Sequence, residues 1–172
     1  MLLSCQFYPV GGKVNIYLIG SLRNPEIPLI GNRLREAGIN TFDEWHDAGP
    51  EADDYWKKDQ QTRGRTYPEA LKSYAADHVF EFDKYHLDRC TGAILILPAG
   101  RSGHIELGYM IGKGKPAYVL FDKDSDRWDV MYRFATGVFF DIEELIKEVK
   151  RQGDADLKRA AILSRQFSEV IG

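Results

Sequence analysis

Cysteine is almost absent from this chain of 172 residues, which carries only Cys5 and Cys90 and no Cys-x-x-Cys pair. A disulfide framework and a zinc site are therefore not expected, and a reducing, cytoplasmic environment is predicted. Residues 1–12 lack the charged start and the long apolar segment of a secretory signal. No apolar run approaches the roughly 18 residues of a membrane span, so no membrane association is expected.

An excess of positive charge is also missing, since 23 Lys and Arg residues are set against 26 Asp and Glu residues, for a net charge of −3. Binding to a nucleic-acid polymer requires a basic surface that follows the phosphate backbone. A small molecule is therefore the expected partner. The four histidines show no metal-ligand spacing such as His-Glu-x-x-His, so no metal site is predicted.

Apolar segments alternate with helical patterns along the chain, which is typical of an α/β fold with a parallel sheet. At 44% apolar content, residues 1–172 can fill one domain core. Five strands are predicted, at 14–19, 39–42, 93–97, 116–121 and 138–140. Helices are predicted at 25–37, 67–74, 76–89, 142–150 and 155–171, and another that Ser102 caps and that runs to about 113. Residues 1–13 are predicted to form an N-terminal extension and 154–172 a C-terminal helix.

Residues 43–65 break this alternation, because they are rich in Asp, Gly, Trp and Lys and show no clear period. A segment of this length without secondary structure inside a compact domain is usually functional or disordered. Trp45, Tyr55 and Trp56 argue against disorder, since large aromatic side chains need a surface to cover. The segment is predicted to be a long loop that covers an active site or binds a base.

Two polar loops, 20–24 and 98–103, each follow a predicted strand and precede a predicted helix. In open parallel sheets the ligand binds beyond the carboxyl ends of the strands, and the free N–H groups of a following helix favour anions. Ser21 and Arg23 are therefore candidates for binding a phosphate or a sugar hydroxyl. A capped helix with a solvated arginine explains the same two residues equally well.

Two carboxylates, Glu106 and Asp83, are candidates for chemistry. Glu106 is predicted in the first turn of its helix, where the helix dipole favours the ionised form that a nucleophile needs. Taken alone, such a glutamate is more often a surface residue. Asp83 is predicted on the helix before the central strand, with Phe80 and Leu87 on the same face. Both acids can approach one cleft, and a pair of carboxylates suits reactions at an anomeric carbon.

The segments 16–24, 82–83 and 100–108 together resemble the nucleoside 2-deoxyribosyltransferases and their relatives, the 2′-deoxynucleoside 5′-phosphate N-hydrolases. The resemblance spans about 14–145 and implies a flavodoxin-like (Rossmann-like), doubly wound five-stranded parallel sheet flanked by helices, with no metal or organic cofactor. It implies that Glu106 is the nucleophile of a covalent sugar–enzyme intermediate. Asp83 would assist leaving-group protonation or sugar binding, and Tyr17 would orient the nucleophile and the sugar.

The resemblance also implies a substrate-binding set. Gly20, Ser21 and Arg23 match the loop that binds a 5′-phosphate in the hydrolase branch. The rest of the predicted set consists of Asn24 from the same loop, Gly100, Arg101, Ser102, Gly103 and His104 from the glutamate loop and its helix, and Trp45 from the segment 43–65, which has no close counterpart in either branch. Family members complete each site with a neighbouring subunit, so a homodimer or larger homo-oligomer is expected, and the apolar segment 128–140 is compatible with its interface.

Three functions stay open at this point. The first is cleavage or exchange of the N-glycosidic bond of a nucleoside or its 5′-monophosphate. The second is nicotinamide release from NAD, since TIR-type domains share the layout and a catalytic glutamate. The third is a nucleotide-binding sensor without turnover. The sequence departs from the transferase pattern, which has Asp-Gly-Thr before its glutamate, and Asp129 falls where the hydrolase branch has a phosphate-binding serine. The base, the acceptor and the need for a 5′-phosphate therefore stay open.

Overall fold

The computed structural model describes residues 14–121 and 128–171, so the predicted N-terminal extension, Cys5 and most of the polar loop 122–129 lie outside it. Five parallel strands form one sheet: β1 (Asn15–Ile19), β2 (Asn40–Phe42), β3 (Gly92–Leu97), β4 (Ala117–Phe121) and β5 (Gly137–Phe139). Their spatial order is β2-β1-β3-β4-β5, which is the order of flavodoxin-like folds. The predicted fold class is confirmed.

Helices cover both faces of this sheet. They are α1 (Glu26–Glu36), α2 (Ala52–Thr62), α3 (Tyr67–Ala70), α4 (Tyr74–Arg89), α5 (Arg101–Gly112) and α6 (Ile142–Ile171), with short 3₁₀ helices at Glu44–Ala48 and Val130–Phe134. Side chains from α1 and α6 pack with one set of strand residues, and side chains from α4 and α5 pack with the alternate set. The sheet is therefore doubly wound.

The central strand β3 shows why the sequence pattern predicts this fold. Ile94 and Ile96 face α1 and α6, whereas Ala93 and Leu95 face α4 and α5, and all four are fully buried. A strand covered on both faces has a continuous apolar run instead of an alternating one. β1 pairs with β3 up to Ile19, so the carboxyl ends of these two strands are neighbours at the point where the strand order reverses.

The prediction of a long loop at 43–65 is wrong. The 3₁₀ helix Glu44–Ala48 and the helix α2 occupy most of it. In α2 only Gln60 is buried, so the helix covers little of the core and its apolar residues do not recur at helical spacing. The absence of a period reflects this shallow contact with the core and not an irregular backbone.

The prediction of two separate C-terminal helices is also wrong, because α6 runs unbroken from Ile142 to Ile171. Its predicted cap is confirmed, since Oδ1 of Asp141 accepts hydrogen bonds from the N–H groups of Glu143 and Glu144 at 2.8 and 2.9 Å. Gly153 lies inside α6, where an added Cβ would lie 2.4 Å from Cγ2 of Val14. A glycine there lets α6 pass close to the start of β1.

The prediction of a reducing, cytoplasmic environment without a membrane is tested only in part. Cys90 is 3% exposed at the end of α4 and packs as a small apolar residue. Within the described ranges, no helix is both long and apolar enough to cross a bilayer. The cytoplasmic location stays a prediction.

Lys115 fixes the C-terminal end of α4. Its Nζ donates to the backbone carbonyl oxygens of Leu87, Asp88 and Cys90 at 3.0, 2.7 and 2.8 Å. The last carbonyls of a helix have no partner within the helix, so an ammonium placed there satisfies them and complements the helix dipole. Burial lowers the pKa of Lys115, against the raising effect of Asp88. This contact anchors the helix that carries Asp83.

Replacing Lys115 by Met should lower the free energy of unfolding by about 2–3 kcal/mol, because three carbonyl oxygens lose their donor in a half-buried position. The matched control is Lys113→Met, which removes an exposed lysine that lies 3.4 Å from Asp88 and should leave stability nearly unchanged. Urea unfolding followed by circular dichroism measures both. Equal losses for the two variants would contradict the anchoring role of Lys115.

Candidate active site

Tyr17 and Asp83 meet on the face of the sheet that α4 and α5 cover. Tyr17 is 1% exposed, and its hydroxyl donates to Oδ1 of Asp83 at 3.3 Å. The ring of Phe42, on the neighbouring β2, lies 5.3 Å from the ring of Tyr17. Burial raises the pKa of Tyr17, and the charges of Asp83 and Glu106 raise it further. The phenol therefore stays protonated and can only donate to a carboxylate.

Glu106 lies close to this pair, but not where the sequence predicts it. It is the sixth residue of α5 and so lies in the second turn, anchored by the buried neighbours Leu107 and Met110. The favourable effect of a helix N-terminus fades after the first turn. Burial raises the pKa of Glu106 to about 8, with a further contribution from Asp83. The prediction of an ionised Glu106 is therefore wrong for the protein by itself, in which the carboxyl holds its proton at neutral pH.

Asp83 and Glu106 behave as a coupled pair of acids. Burial raises the pKa of Asp83 as well, and the hydrogen bond from Tyr17 opposes that rise. Carboxylates that interact in a place shielded from water lose their protons in two separated steps, so one proton is retained over a wide range of pH. The Tyr17 bond favours the anion at Asp83 and leaves this proton on Glu106. The site thus holds an acid and a base side by side.

The first loop, between β1 and α1, is closed by its own hydrogen bonds. Oγ of Ser21 accepts from the N–H of Arg23 at 3.2 Å, and the carbonyl of Ser21 accepts from the N–H of Asn24 at 2.9 Å. Asn24 is 6% exposed, and its Oδ1 accepts from the N–H of Glu26 at 3.0 Å. Its carbonyl accepts from the N–H of Ile27 at 3.4 Å. The predicted binding residues Ser21 and Asn24 therefore shape the loop, while Gly20 packs against Ile27.

Arg23 extends from this loop towards α2. Its Nη2 donates to Oδ2 of Asp54 at 2.7 Å, and the two side chains are 53% and 70% exposed. The sequence does not predict this partner, because the segment that carries Asp54 shows no helical period. Arg23 as a phosphate ligand stays a prediction, but the structure pairs its guanidinium with a carboxylate of the same chain.

The 3₁₀ helix after β2 donates hydrogen bonds to the end of β1 and to the first loop. Nε1 of Trp45 donates to the carbonyl of Leu18 at 2.7 Å, beyond the point where β2 ends and no longer pairs with β1. Nε2 of His46 donates to the carbonyl of Asn24 at 3.0 Å. Trp45 is predicted to bind substrate, but its indole N–H is used to continue the hydrogen bonding of β1 past the end of β2.

The second loop leads from β3 into α5, and Gly100 is the residue before the helix in place of the predicted cap Ser102. Arg101 and Ser102 are exposed in the first turn. Gly103 is buried, and an added Cβ would lie 3.0 and 3.2 Å from side chains of β1 and β3. The helix therefore approaches the sheet closely at Gly103, which places the next turn, with Glu106, over the strand ends.

His104 ties the second loop to the 3₁₀ helix Val130–Phe134. Its Nδ1 lies 2.7 Å from the carbonyl of Gly100, and a carbonyl can only accept, so Nδ1 carries a proton. Nε2 lies 2.9 Å from the hydroxyl of Tyr132, which donates to it when the ring is neutral. The two rings also stack with centroids 5.9 Å apart. His104, predicted to bind substrate, thus positions the loop.

An aromatic stack beside Tyr17 was not predicted. The ring of Phe42 stacks on the imidazole of His86 at 3.8 Å, and Phe82 lies 4.7 Å from His86. Burial lowers the pKa of His86, against the raising effect of Glu44, so the imidazole packs as a neutral ring at pH 7. The strand register is the one signal that could have indicated this stack, because it makes Tyr17 and Phe42 partners on adjacent parallel strands.

A surface groove lies away from the pair of acids. Among the described residues, no group of three or more His, Cys, Asp or Glu side chains could hold a metal ion. A groove of about 710 Å³ is lined by residues that include Val14, Gly38, Asn40 and Gly153. These lie at the amino ends of β1 and β2, on the edge of the sheet opposite to Glu106.

Solved structures with a similar fold are known. A 2-deoxyribosyltransferase from Bacillus psychrosaccharolyticus aligns with a TM-score of 0.55 and 18% identity, over 77% of this chain and 90% of its own. A conserved protein from Enterococcus faecalis V583 gives 0.57 and 14%, over 81% and 99%. A CMP N-glycosidase from Clostridium botulinum gives 0.46 and 13%, over 79% and 98%. No model of a protein family and no curated protein matches the sequence. At these identities, the chain shares the fold of the 2-deoxyribosyltransferase.

The raised pKa of Glu106 predicts how stability depends on pH. In the unfolded chain this carboxyl titrates near its ordinary value of 4.5, and in the folded chain near 8, so the folded state binds more protons between these values. The stability that this proton contributes is complete below the lower pKa and is lost as pH rises through the higher one. Relative to the original protein, Glu106→Gln should have the same Tm near pH 4 and a Tm at least about 3 °C higher near pH 9.

Differential scanning fluorimetry at the two pH values measures this difference. Glu36→Gln is the matched control, because Glu36 is exposed at the end of α1, and it should shift Tm equally at both. A Glu106→Gln variant whose Tm stays parallel to that of the original protein would contradict the buried, proton-holding carboxyl.

Proposed function

We propose that this chain cleaves or exchanges the N-glycosidic bond of a nucleoside or its 5′-monophosphate, with Glu106 as the nucleophile. The observation that carries the proposal is the meeting of Tyr17, Asp83 and Glu106, from three separate elements, at the switch point of the sheet. Two acids with raised pKa values at such a place are a frequent mark of an active site, because each lowers stability. The 2-deoxyribosyltransferase with a similar fold supports the same class of reaction.

The reaction has two steps. In the first, an oxygen of ionised Glu106 bonds to C1′ of the sugar while the bond from C1′ to the base nitrogen breaks, and Asp83 gives a proton to the leaving base. In the second, Asp83 takes a proton from water or from a second base, which bonds to C1′ and releases Glu106. The carboxylates stabilise the positive charge that develops on the sugar in both steps.

This sequence of steps requires the shared proton to move. In the protein by itself Glu106 holds the proton and Asp83 is the anion, which is the reverse of the roles at the start of the reaction. An anomeric carbon with partial positive charge, placed against Glu106, favours the anion there. Tyr17 bonds to one oxygen of Asp83 and leaves the other available for the proton. Substrate binding therefore sets the protonation state that the chemistry needs.

Incubation with a panel of nucleosides, nucleotides and NAD, with and without an acceptor base, should release free base that chromatography detects. Glu106→Gln should lower the rate at least about 1,000-fold, since it removes the nucleophile, and Asp83→Asn about 100-fold, since it removes the acid. The exposed control Glu36→Gln should keep the original rate.

A 2-fluoro-2-deoxy substrate should leave a sugar adduct on Glu106, visible by intact mass and peptide mapping. Turnover without an adduct would exclude the covalent route. Base release from NAD alone would favour the TIR-like function, and ligand binding without any turnover would favour a sensor.

We also propose that a second copy of the chain covers the apolar surface next to the site. The 3₁₀ helix Val130–Phe134 and its flanks leave large side chains uncovered: Trp128 is 93% exposed, Val130 70%, Met131 59%, Phe134 71% and Phe140 69%. Exposed apolar side chains that lie next to one another are typical of an interface between proteins. The bond between Tyr132 and His104 connects this surface to the second loop, so a partner bound there would adjoin the site.

Light scattering coupled to size exclusion should give a mass at least twice the 19.6 kDa of one chain. Phe134→Asp should shift the mass to that of a monomer and lower base release, because it places a charge in the apolar contact. Leu29→Asp is the matched control, since Leu29 is 54% exposed on α1, on the other face of the sheet. A monomeric original protein, or loss of assembly only in the Leu29 variant, would contradict this interface.

A further inference from the structure

We propose that Asp54 makes the site selective against a 5′-phosphate, so that the substrate class is the free nucleoside. This inference rests on the proposed N-glycosidic activity and narrows its substrate. The pattern of the first loop points the other way, since Ser21 and Arg23 match residues that bind a 5′-phosphate in one branch of the family. The contacts that these residues make in this chain support the opposite conclusion.

The first observation is the ion pair of Arg23 with Asp54, whose atoms Nη2 and Oδ2 are 2.7 Å apart. Arg23 is the cation of the first loop, and an incoming phosphate has to compete with the carboxylate of Asp54 for it. Displacing Asp54 does not remove its charge, because it lies in the first turn of α2 together with Asp53. A phosphate dianion at Arg23 therefore remains beside negative charge.

The helix that carries Asp54 packs on the rest of the protein at its other end. Gln60, near the other end of α2, is 3% exposed, and its Oε1 accepts from Nη1 of Arg65 at 2.8 Å. The carbonyl of Gln60 also accepts from the N–H of Arg65 at 3.0 Å. The bonds to Arg65 close the end of α2, the burial of Gln60 packs this end on the rest of the protein, and the ion pair with Arg23 joins the first turn of α2 to the first loop.

The second observation concerns the backbone at the start of α1. A phosphate at a helix N-terminus is bound through free N–H groups. Here the N–H groups of Arg23, Asn24, Glu26 and Ile27 all donate to oxygens of Ser21 and Asn24 within the loop, and residue 25 is a proline, which has no N–H. These four backbone donors are already used, so binding an anion through them would break the loop's own hydrogen bonds, and the donor left in this loop is the buried Nδ2 of Asn24, which has no partner.

A 5′-hydroxyl fits the same place without this conflict. A hydroxyl donates one hydrogen bond and accepts others, so it can bond to the carboxylate of Asp54 and to the guanidinium of Arg23 at once. It brings no net charge, and the ion pair stays balanced. The pair therefore favours a neutral group where a phosphate would be repelled.

The test compares kcat/KM for deoxynucleosides and their 5′-monophosphates with the same bases, at fixed ionic strength. We expect a preference for the nucleoside of at least about tenfold. The preference should not be an absolute block, because exposed ion pairs are individually weak. Asp54→Asn should raise the ratio of monophosphate to nucleoside about tenfold by removing the competing charge. Asp53→Asn is the matched control, because Asp53 forms no ion pair with any described residue, and it should change the ratio less than about threefold.

Calorimetric binding of the same ligands to the Glu106→Gln protein, with and without Asp54→Asn, separates this inference from the proposed function. A nucleoside preference that Asp54→Asn removes would support the selectivity even if no base were ever released. A monophosphate that binds or reacts at least as well as its nucleoside overturns the selectivity, whichever cation holds the phosphate. A ratio that Asp54→Asn leaves unchanged overturns the role of Asp54.

Discussion

The hydrogen bond from Tyr17 to Asp83 is the contact on which the geometry of the site depends. Tyr17 is buried in the middle of the sheet, so its hydroxyl has one fixed position, and Asp83 must be brought to it. The close approach of α5 at Gly103 then brings Glu106 over the same strand ends. Lys115 holds the far end of α4 through three carbonyl oxygens, which limits how far Asp83 can move. Tertiary packing, more than any local motif, therefore creates the pair of acids.

The buried pair of acids lowers the stability of the protein, and the apolar core of the fold compensates for this loss. A carboxyl whose pKa lies near 8 prefers to be neutral, so its ionisation at higher pH is opposed by the folded structure. The strands β1, β3 and β4 are buried on both faces, and their apolar contacts provide the stability that the site gives up. Catalytic groups are commonly placed in this way, because a rigid core can hold a charged group in an environment that disfavours its charge.

The sequence predicts those parts of the structure that bury a regular pattern. β3 is an unbroken apolar run because both of its faces are covered, and its position follows directly from the sequence. Helix α2 is missed because it buries only Gln60, and a helix that contacts little has no period to detect. The three residues that the resemblance selects, Tyr17, Asp83 and Glu106, lie close together, but the protonation of Glu106 cannot be predicted from its position in a helix. It depends on burial and on a charge 23 residues away in sequence, at Asp83. The pair of Arg23 with Asp54 joins two exposed charges 31 residues apart, which leave no pattern at all.

The charges of the site are consistent with one another and with an uncharged substrate. Near neutral pH, Glu106 holds a proton, Asp83 is the anion, and Arg23 and Asp54 neutralise each other. The proposed reaction requires Glu106 to lose its proton, and any negative charge added nearby makes that loss harder, as the carboxylate of Asp83 already does. A phosphate on the sugar would add such a charge, whereas a hydroxyl would not. On the proposed mechanism, the pair of Arg23 with Asp54 acts on Glu106 only by keeping the charge of a phosphate out of the site, and in this way the proposed selectivity at one edge would bear on the proposed chemistry at the other.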